Sequence, residues 1–299
     1  MPATAASVIA DLRALGSPAK AKILAGFFKT GPGEYGEGDS FWGVTVPQTR
    51  SIVKAYRGLT LMEIEKLIAH SVHEVRLAGW LSLVAAYEGA KKAESIMATG
   101  ASFPLTRGIE GVGDPIAAMG GTSSTSSTNP SYSECHPWHS SPACQGRGNS
   151  PARAEIFDFY LTHARRANNW DLVDVSAPNV VGDFLLGFSD ADRTAVLRKL
   201  GTSDCLWERR IAVLATFAFI RAGRFHPAVA TCRALLADSH DLLHKACGWM
   251  LREMGKRGGL AELRAFLKRH AAAMPRTMLR YAIERMAPDE RARWMTCGK

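Results

Sequence analysis

The sequence has no run of about eighteen consecutive apolar residues, so nothing in it reads as a helix that crosses a bilayer. The opening stretch, Met1 to Ser17, shows no basic segment leading into an apolar one, so no secretory leader is expected, and no run of basic residues reads as a nuclear-import signal. Strand-like alternation is almost absent. Cysteine is sparse: Cys135, Cys144, Cys205, Cys232, Cys247 and Cys297 are scattered, and three of the six lie in apolar helical patterns where the thiol serves as a small buried hydrophobe. Cys135, His136, His139 and Cys144 fall in a short Gly- and Pro-rich loop unlike a structural zinc site, so no metal and no cofactor is expected. These absences predict a soluble, unsecreted monomer in a reducing compartment, the bacterial cytoplasm or, in a eukaryote, the nucleus.

What the sequence does contain is helical periodicity. Ile211, Leu214, Ala215, Phe217 and Ala218 illustrate the three- and four-residue spacing that runs through most of the 299 residues and predicts an all-α fold. The pattern breaks between about 100 and 150, where Gly, Ser, Thr and Pro dominate, and that stretch reads as a disordered insertion in one domain covering residues 1–299. The formal net charge is +9. The insertion carries Arg107 and Arg147 against Glu110, Asp114 and Glu134, so the positive excess belongs to the helical body. Such a surface attracts polyanions.

A basic residue followed by small and apolar ones recurs at Arg76-Leu77-Ala78, Arg210-Ile211-Ala212, Lys245-Ala246-Cys247 and Arg280-Tyr281-Ala282, the last three spaced 35 apart. With the insertion removed, the gap between Arg76 and Arg210 leaves room for another unit near Trp170. Stacked helix pairs of this period predict HEAT-like repeats in a curved α-solenoid, whose concave face, lined by the repeated cation, would form a groove for duplex DNA. The same cations also fit plain solvated helix faces.

Three local motifs sharpen the reading. In Asn168-Asn169-Trp170-Asp171-Leu172-Val173-Asp174 an asparagine opens a helix and puts Trp170 and Asp174 one turn apart on one face, where a buried carboxylate needs a partner. In Leu206-Trp207-Glu208-Arg209-Arg210 two arginines begin an apolar helix against the helix dipole, a placement that suits phosphate contact. In His244-Lys245-Ala246-Cys247-Gly248-Trp249-Met250-Leu251-Arg252-Glu253, the residues Lys245, Trp249, Arg252 and Lys256 share one stripe, cations interleaved with an aromatic. Core tryptophans flanked by snorkelling basic chains would give the same stripe.

Taken together, these segments resemble the AlkD family of DNA alkylation repair glycosylases, with its Trp-Asp-x-x-Asp, Trp-x-x-Arg and Gly-Trp-x-x-Arg-Glu segments in this order. Lys20 to Lys29 and the run Gly43-Val44-Thr45-Val46-Pro47-Gln48-Thr49-Arg50 are similar to that family's opening helix and its Gly-[IV]-x-x-Pro-x-x-Arg signature. The resemblance implies a monofunctional glycosylase that removes positively charged alkylated purines from duplex DNA. It implies Asp174 as the catalytic carboxylate, Trp170 and Trp249 as walls around the lesion's deoxyribose, and Arg210 as supporting cation. Arg252 matches a further DNA-contacting position. Lys245, Arg209, Phe27, Arg50 and Lys256 complete the expected DNA surface, with Phe27 standing where relatives can carry tyrosine.

Other readings stay open from the residues alone. Gly111 to Ala118 is similar to the hairpin of helix-hairpin-helix proteins, although Pro115 breaks its second helix outside the first turn. Lys245 as a Schiff-base nucleophile would make a bifunctional lyase, against the family resemblance. A non-catalytic HEAT-like DNA-binding scaffold and a protein adaptor solenoid are the alternatives to an enzyme.

Overall fold

The computed structural model describes residues 3–98 and 151–297. The expected insertion, the Gly111–Ala118 hairpin and the Cys135, His136, His139 and Cys144 group lie outside the described residues. Among those residues the regular structure is helical throughout, apart from one isolated parallel bridge between Ser40 and Val72. In chain order come α1 (Ala5–Ala14), α2 (Pro18–Phe27), α3 (Val46–Ala55), α4 (Leu61–Ile68), α5 (His73–Ala98) and α6 (Pro151–Thr162). They are followed by α7 (Trp170–Ser176), α8 (Asp183–Leu185), α9 (Asp190–Gly201), α10 (Leu206–Arg221), α11 (His226–Ala234), α12 (Asp241–Lys256), α13 (Leu260–His270), α14 (Arg276–Ala282) and α15 (Pro288–Thr296). No helix among the described residues is long and apolar enough to cross a membrane.

Local sequence sets many of the boundaries. Thr4, Thr60 and Ser189 cap α1, α4 and α9 with a side-chain oxygen on a first-turn N–H, and Thr45 with Gln48 forms a capping box on α3. Proline occupies the first turn of α2, α3, α11 and α15, where its missing N–H costs nothing.

The helices stack as a repeat. α5 packs on α7, α7 on α10, α10 on α12 and α12 on α14, making one continuous row; α9, α11 and α13 flank it. The row's members begin at Trp170, Leu206, Asp241 and Arg276, a spacing of 36, 35 and 35 residues that matches the period read from the sequence. Their shared core includes Leu172, Phe184, Leu214, Phe219, Leu243, Met250 and Met278, all fully buried, and each such side chain contributes about 1.5–3 kcal/mol of transfer free energy. Cys232 and Cys247 sit in this core as expected, while Cys205 is half-buried at the start of α10.

Two close approaches hold the row together. A Cβ at Gly182 would lie 2.3 Å from the Ala215 carbonyl oxygen, and one at Gly248 would lie 2.5 Å from that of Met278. Only glycine lets the segment after α7 seat on α10, and α12 on α14, at this separation.

Two of the four repeated cations are turned inward and do not line a groove. Arg76 and Arg210 are 5% and 4% exposed, paired with Asp39 and Asp174 respectively. Lys245 pairs with Asp241 at 2.7 Å, and Arg280 alone of the four is exposed without a carboxylate partner. A charge buried near a helix start needs a counter-charge, which comes from the loop before α3 for Arg76 and from α7 for Arg210, while Lys245 uses the first residue of its own helix.

Candidate active site

The entrance to α7 is built around Asn169, which is fully buried. Its Oδ1 accepts the Trp170 N–H at 2.8 Å and its Nδ2 donates to Asp39 Oδ2 at 3.2 Å, so one side chain both starts the helix and fixes it to the loop before α3. The Trp170 ring then stacks on Phe28 (centroids 5.4 Å apart, 24° between planes) and meets Phe27 edge-on at 5.9 Å. Phe28 continues the stack onto Phe41 and His73. Phe27, at 60% exposed, leaves this aromatic column open to solvent at one end.

Beneath the column lies a closed ionic network. His73 is 2% exposed, with Nε2 donating to Asp171 Oδ2 at 2.9 Å and Nδ1 to Asp39 Oδ2 at 3.1 Å. Burial alone would lower the His73 pKa, but the hydrogen bonds to Asp171 and Asp39 and the charge of Asp171 override it and raise the value to about 9. Burial pushes Asp39 up, yet His73, Arg76 and Asn169 together hold it below the ordinary aspartate value. Arg76 also donates to the Ser71 and His70 carbonyls at 2.9 and 3.2 Å. Every charge in this network is answered by another.

One turn further along α7, Asp174 faces Arg210. Arg210 Nε donates to Oδ1 at 2.9 Å and Nη2 to Oδ2 at 2.8 Å, the bidentate fork that fixes a carboxylate's plane. The third arm, Nη1, donates to the Leu242 carbonyl at 2.7 Å and anchors the guanidinium to the next repeat. Arg210 is closed off, whereas the Asp174 side chain keeps 16% of its surface exposed. Burial raises the Asp174 carboxyl above its ordinary value, Arg210 opposes the rise, and the nearby Asp171 charge adds to it. The partner predicted for a carboxylate at this position is therefore Arg210, the base of the next repeat.

After Ser176 the helix widens into a π turn at Pro178–Gly182, in which Gly182 N donates to Ala177 O at 2.9 Å, and then tightens again as α8. Pro178 has no N–H to give, and Gly182 is where the backbone must approach α10. Beyond it, Asp183 accepts from Lys91 at 2.6 Å, Arg153 at 2.9 Å and Tyr87 at 3.1 Å, and Arg153 reaches Glu94 at 2.9 Å. This cluster pins the end of α5 to the start of α6.

The remaining expected site residues occupy varied positions. Trp249, half-buried on α12, belongs to a different aromatic group from Trp170: its ring lies 6.3 Å from Phe217. Arg252 reaches Glu284 and Glu253, and Lys256 and Arg50 are exposed. Arg209 pairs with Asp238 at 2.8 Å and donates to the Ser203 and Asp204 carbonyls, both at 2.9 Å. Both arginines at the start of α10 are thus answered by protein carboxylates, a relief of the dipole conflict that the sequence reading assigned to phosphate.

The model of the DNA alkylation repair enzyme family matches residues 8–103 and 143–286, well over half of the chain. The chain belongs to that family. The match omits residues 104–142, within the stretch that departs from helical periodicity. No curated protein matches this chain.

Within a DNA alkylation repair enzyme, some motif residues prove to be architectural. Gly43 and Val44 donate their N–H groups to Glu74 Oε1 at 2.8 and 3.1 Å, and Pro47 lies in the first turn of α3, so the Gly-Val-x-x-Pro run is a docked helix start. Gly248 sets the distance between α12 and α14. The motif reading did not name His73 or Asp39, and it gave no role to Asp171 although that residue lies in the Trp-Asp-x-x-Asp segment; His73 is 34 residues from Asp39 and 98 from Asp171. It also missed Phe217, whose ring carries Arg221 and Arg257 beside Trp249. The repeat period does hold one usable signal: Asp174 stands at the fifth position of its helix, where α10, α12 and α14 carry Arg210, Lys245 and Arg280. An acid in a column of bases marks the exceptional repeat.

Proposed function

We propose that this DNA alkylation repair enzyme is a monofunctional DNA glycosylase hydrolysing the N-glycosidic bond of positively charged alkylated purines, of the 3-methyladenine and 7-methylguanine type, in duplex DNA. The observation that carries this reading is the Asp174–Arg210 pair: a carboxylate held rigidly by a buried guanidinium, with one edge open to solvent.

The chemistry follows from the substrate's charge. A purine alkylated at N3 or N7 is cationic, and when the bond to C1′ breaks, the bonding electrons leave with the base, which departs neutral and needs no proton. Positive charge then develops on the sugar. A preorganised carboxylate near that sugar stabilises the transition state more than the ground state, most effectively where water is scarce. Asp174 is suited to this because Arg210 fixes its orientation before substrate arrives. A water molecule adds to C1′ and loses one proton, which Asp174 accepts or relays to solvent.

The aromatic groups add selectivity. The faces of Trp170 and Trp249 attract a cationic nucleotide by roughly 0.5–2 kcal/mol per contact, and a neutral base gains little from them. Phe27 extends the Trp170 column outward as an apolar contact. Lys245, Lys256, Arg252 and Arg50 supply cations for phosphate, whereas Arg209, engaged by Asp238 and two carbonyls, is assigned to support of α10. The fit is to a monomer working on DNA in the bacterial cytoplasm or a eukaryotic nucleus.

The test is release of 7-methylguanine from methylated duplex by the wild type and by Asp174→Asn, with duplex binding followed in parallel. Release by the wild type, together with binding but no release by the variant, supports both the reaction and the role of Asp174. Binding by both with release by neither makes the protein a non-catalytic DNA-binding scaffold.

A further inference from the structure

Two guanidinium groups share the ring of Phe217. Arg221, one turn on along α10, and Arg257, just beyond the end of α12, each place Cζ 5.2 Å from the ring centroid. They are therefore no further apart than twice that distance, and both side chains are exposed. The polar contacts of Arg221 are long and uncharged, 3.4 Å to the Pro178 carbonyl and 3.5 Å to Asn179 Oδ1. Arg257 has Glu253 at 3.4 Å, but that carboxylate also faces Arg252 at 3.6 Å. Two like charges gathered on one ring, of which only Arg257 has a carboxylate within reach, leave an excess of positive charge facing solvent, which is unfavourable until an anion arrives. A guanidinium has five N–H donors in a fixed fork, so each of these groups, lying over an aromatic ring, retains donors for phosphate oxygens beyond the weak contacts it makes here.

We infer that Arg221 and Arg257, oriented by Phe217, form a clamp for backbone phosphates of the bound duplex, to one side of the lesion. The inference rests on the glycosylase reading for its placement, since the Phe217 ring also meets Trp249 at 6.3 Å. Arg221 follows Arg210 by eleven residues of one helix, about 16 Å, so the clamp engages phosphates a few nucleotides from the sugar that faces Asp174. Its work is to set the register of the DNA on the row of helices.

The experiment is a salt series of affinities for undamaged duplex, measured by fluorescence anisotropy on the full chain. The Arg221→Gln/Arg257→Gln double variant is expected to bind roughly tenfold or more weakly near 0.1 M salt, with a dependence of log affinity on log salt shallower by about 0.9 for each phosphate released. Phe217→Leu, which keeps both charges, is expected to weaken binding by a smaller factor. Arg198→Gln, which removes an exposed charge from the flanking α9, serves as the control and stays within about twofold of wild type. Equal affinity and slope in the double variant and wild type would overturn the clamp, as would a loss in the control as large as in the double variant. The two readings fail separately. A wild type that binds duplex but releases no base, with the double variant still losing affinity, removes the glycosylase and leaves the clamp. Base release by the wild type with unchanged binding by the double variant removes only the clamp.

Discussion

Helix α7 carries two carboxylates three residues apart, and their surroundings differ in kind. Asp171 belongs to a closed network in which His73 bridges it to Asp39, with Arg76 and Asn169 completing the circuit. Asp174 has a single cation, Arg210, and an edge left to solvent. The network answers each of its charges within the protein, with three of its members almost wholly buried. The Asp174 pair fixes the carboxylate through both oxygens and still leaves 16% of the side chain exposed, the access that the proposed reaction through a cationic sugar would use. On the proposed reading, one short helix separates the task of holding the site together, at Asp171, from the task of using it, at Asp174.

The comparison breaks hardest at Asp174. Asp174→Asn is expected to cut base release by about a hundred- to a thousandfold. It also leaves the Arg210 charge buried without its partner, at a cost of roughly 3–5 kcal/mol in stability. The Asp174→Asn/Arg210→Gln pair separates these effects: thermal melting should recover toward wild type while single-turnover release stays low. Recovery of activity with stability would make the pair structural, like the one beneath it.

On the closed side, His73→Ala removes the bridge and leaves Asp39 and Asp171 facing one another without it, which should cost roughly 3–5 kcal/mol and be read in denaturant unfolding. Its titration gives the same comparison without mutation. Because folding raises the His73 pKa to about 9 from an ordinary 6.5, its stabilising contribution is fully present below about pH 6.5 and is lost as pH rises through 9. A melting series from pH 6 to 10 should fall on the alkaline side in the wild type, and His73→Ala should flatten that limb. Asp174 acts in the opposite sense and on a different readout: base release should decline as pH falls through its raised carboxyl pKa, where the transition-state charge loses its partner.

Smaller effects sharpen the picture. Trp170→Ala and Trp249→Ala should each reduce release of a cationic base about two- to thirtyfold, and of a neutral lesion less. Trp170→Ala should also lower the melting temperature more, because it removes a ring packed on both Phe27 and Phe28 in a column that reaches His73. The smallest effect is expected from deleting residues 104–142, which the family match omits. Arg153 already ties Glu94 to Asp183 across the junction, so melting temperature and base release should both stay close to wild type. A deletion that unfolds the protein would give that segment a structural role.

The sequence disclosed the repeat because a period is a property of neighbours along the chain: 35 residues separate Arg210, Lys245 and Arg280, and the helices begin at the same interval. It disclosed the cap at Asn169 and the pairing need of Asp174 for the same reason, since both are set within one or two turns. The network around His73 was invisible because its members come from three distant segments, and Arg76 and Asp171, though marked in theirs, show no partner until the fold brings Asp39 and His73 to them. The cations on Phe217 were hidden differently. Basic residues near helix C-termini are common for their effect on the dipole, so Arg221 and Arg257 carry no mark until the fold puts both on one ring. The motif residues divided along the same line, Gly43 and Gly248 being requirements of packing that a pattern of letters cannot separate from requirements of chemistry.

The π turn between α7 and α8 has a consequence for how this site can vary. A π turn holds one residue more than the α-helix would, and each α-helical residue advances the side-chain direction by about 100°. The extra residue is a phase offset: it lets Asp174 face Arg210 while Asp183, nine residues later, still meets Tyr87, Lys91 and Arg153. Removing Val180 or Val181 would put the two halves back in step and set those contacts against each other, so the segment is constrained in its length as well as at Gly182.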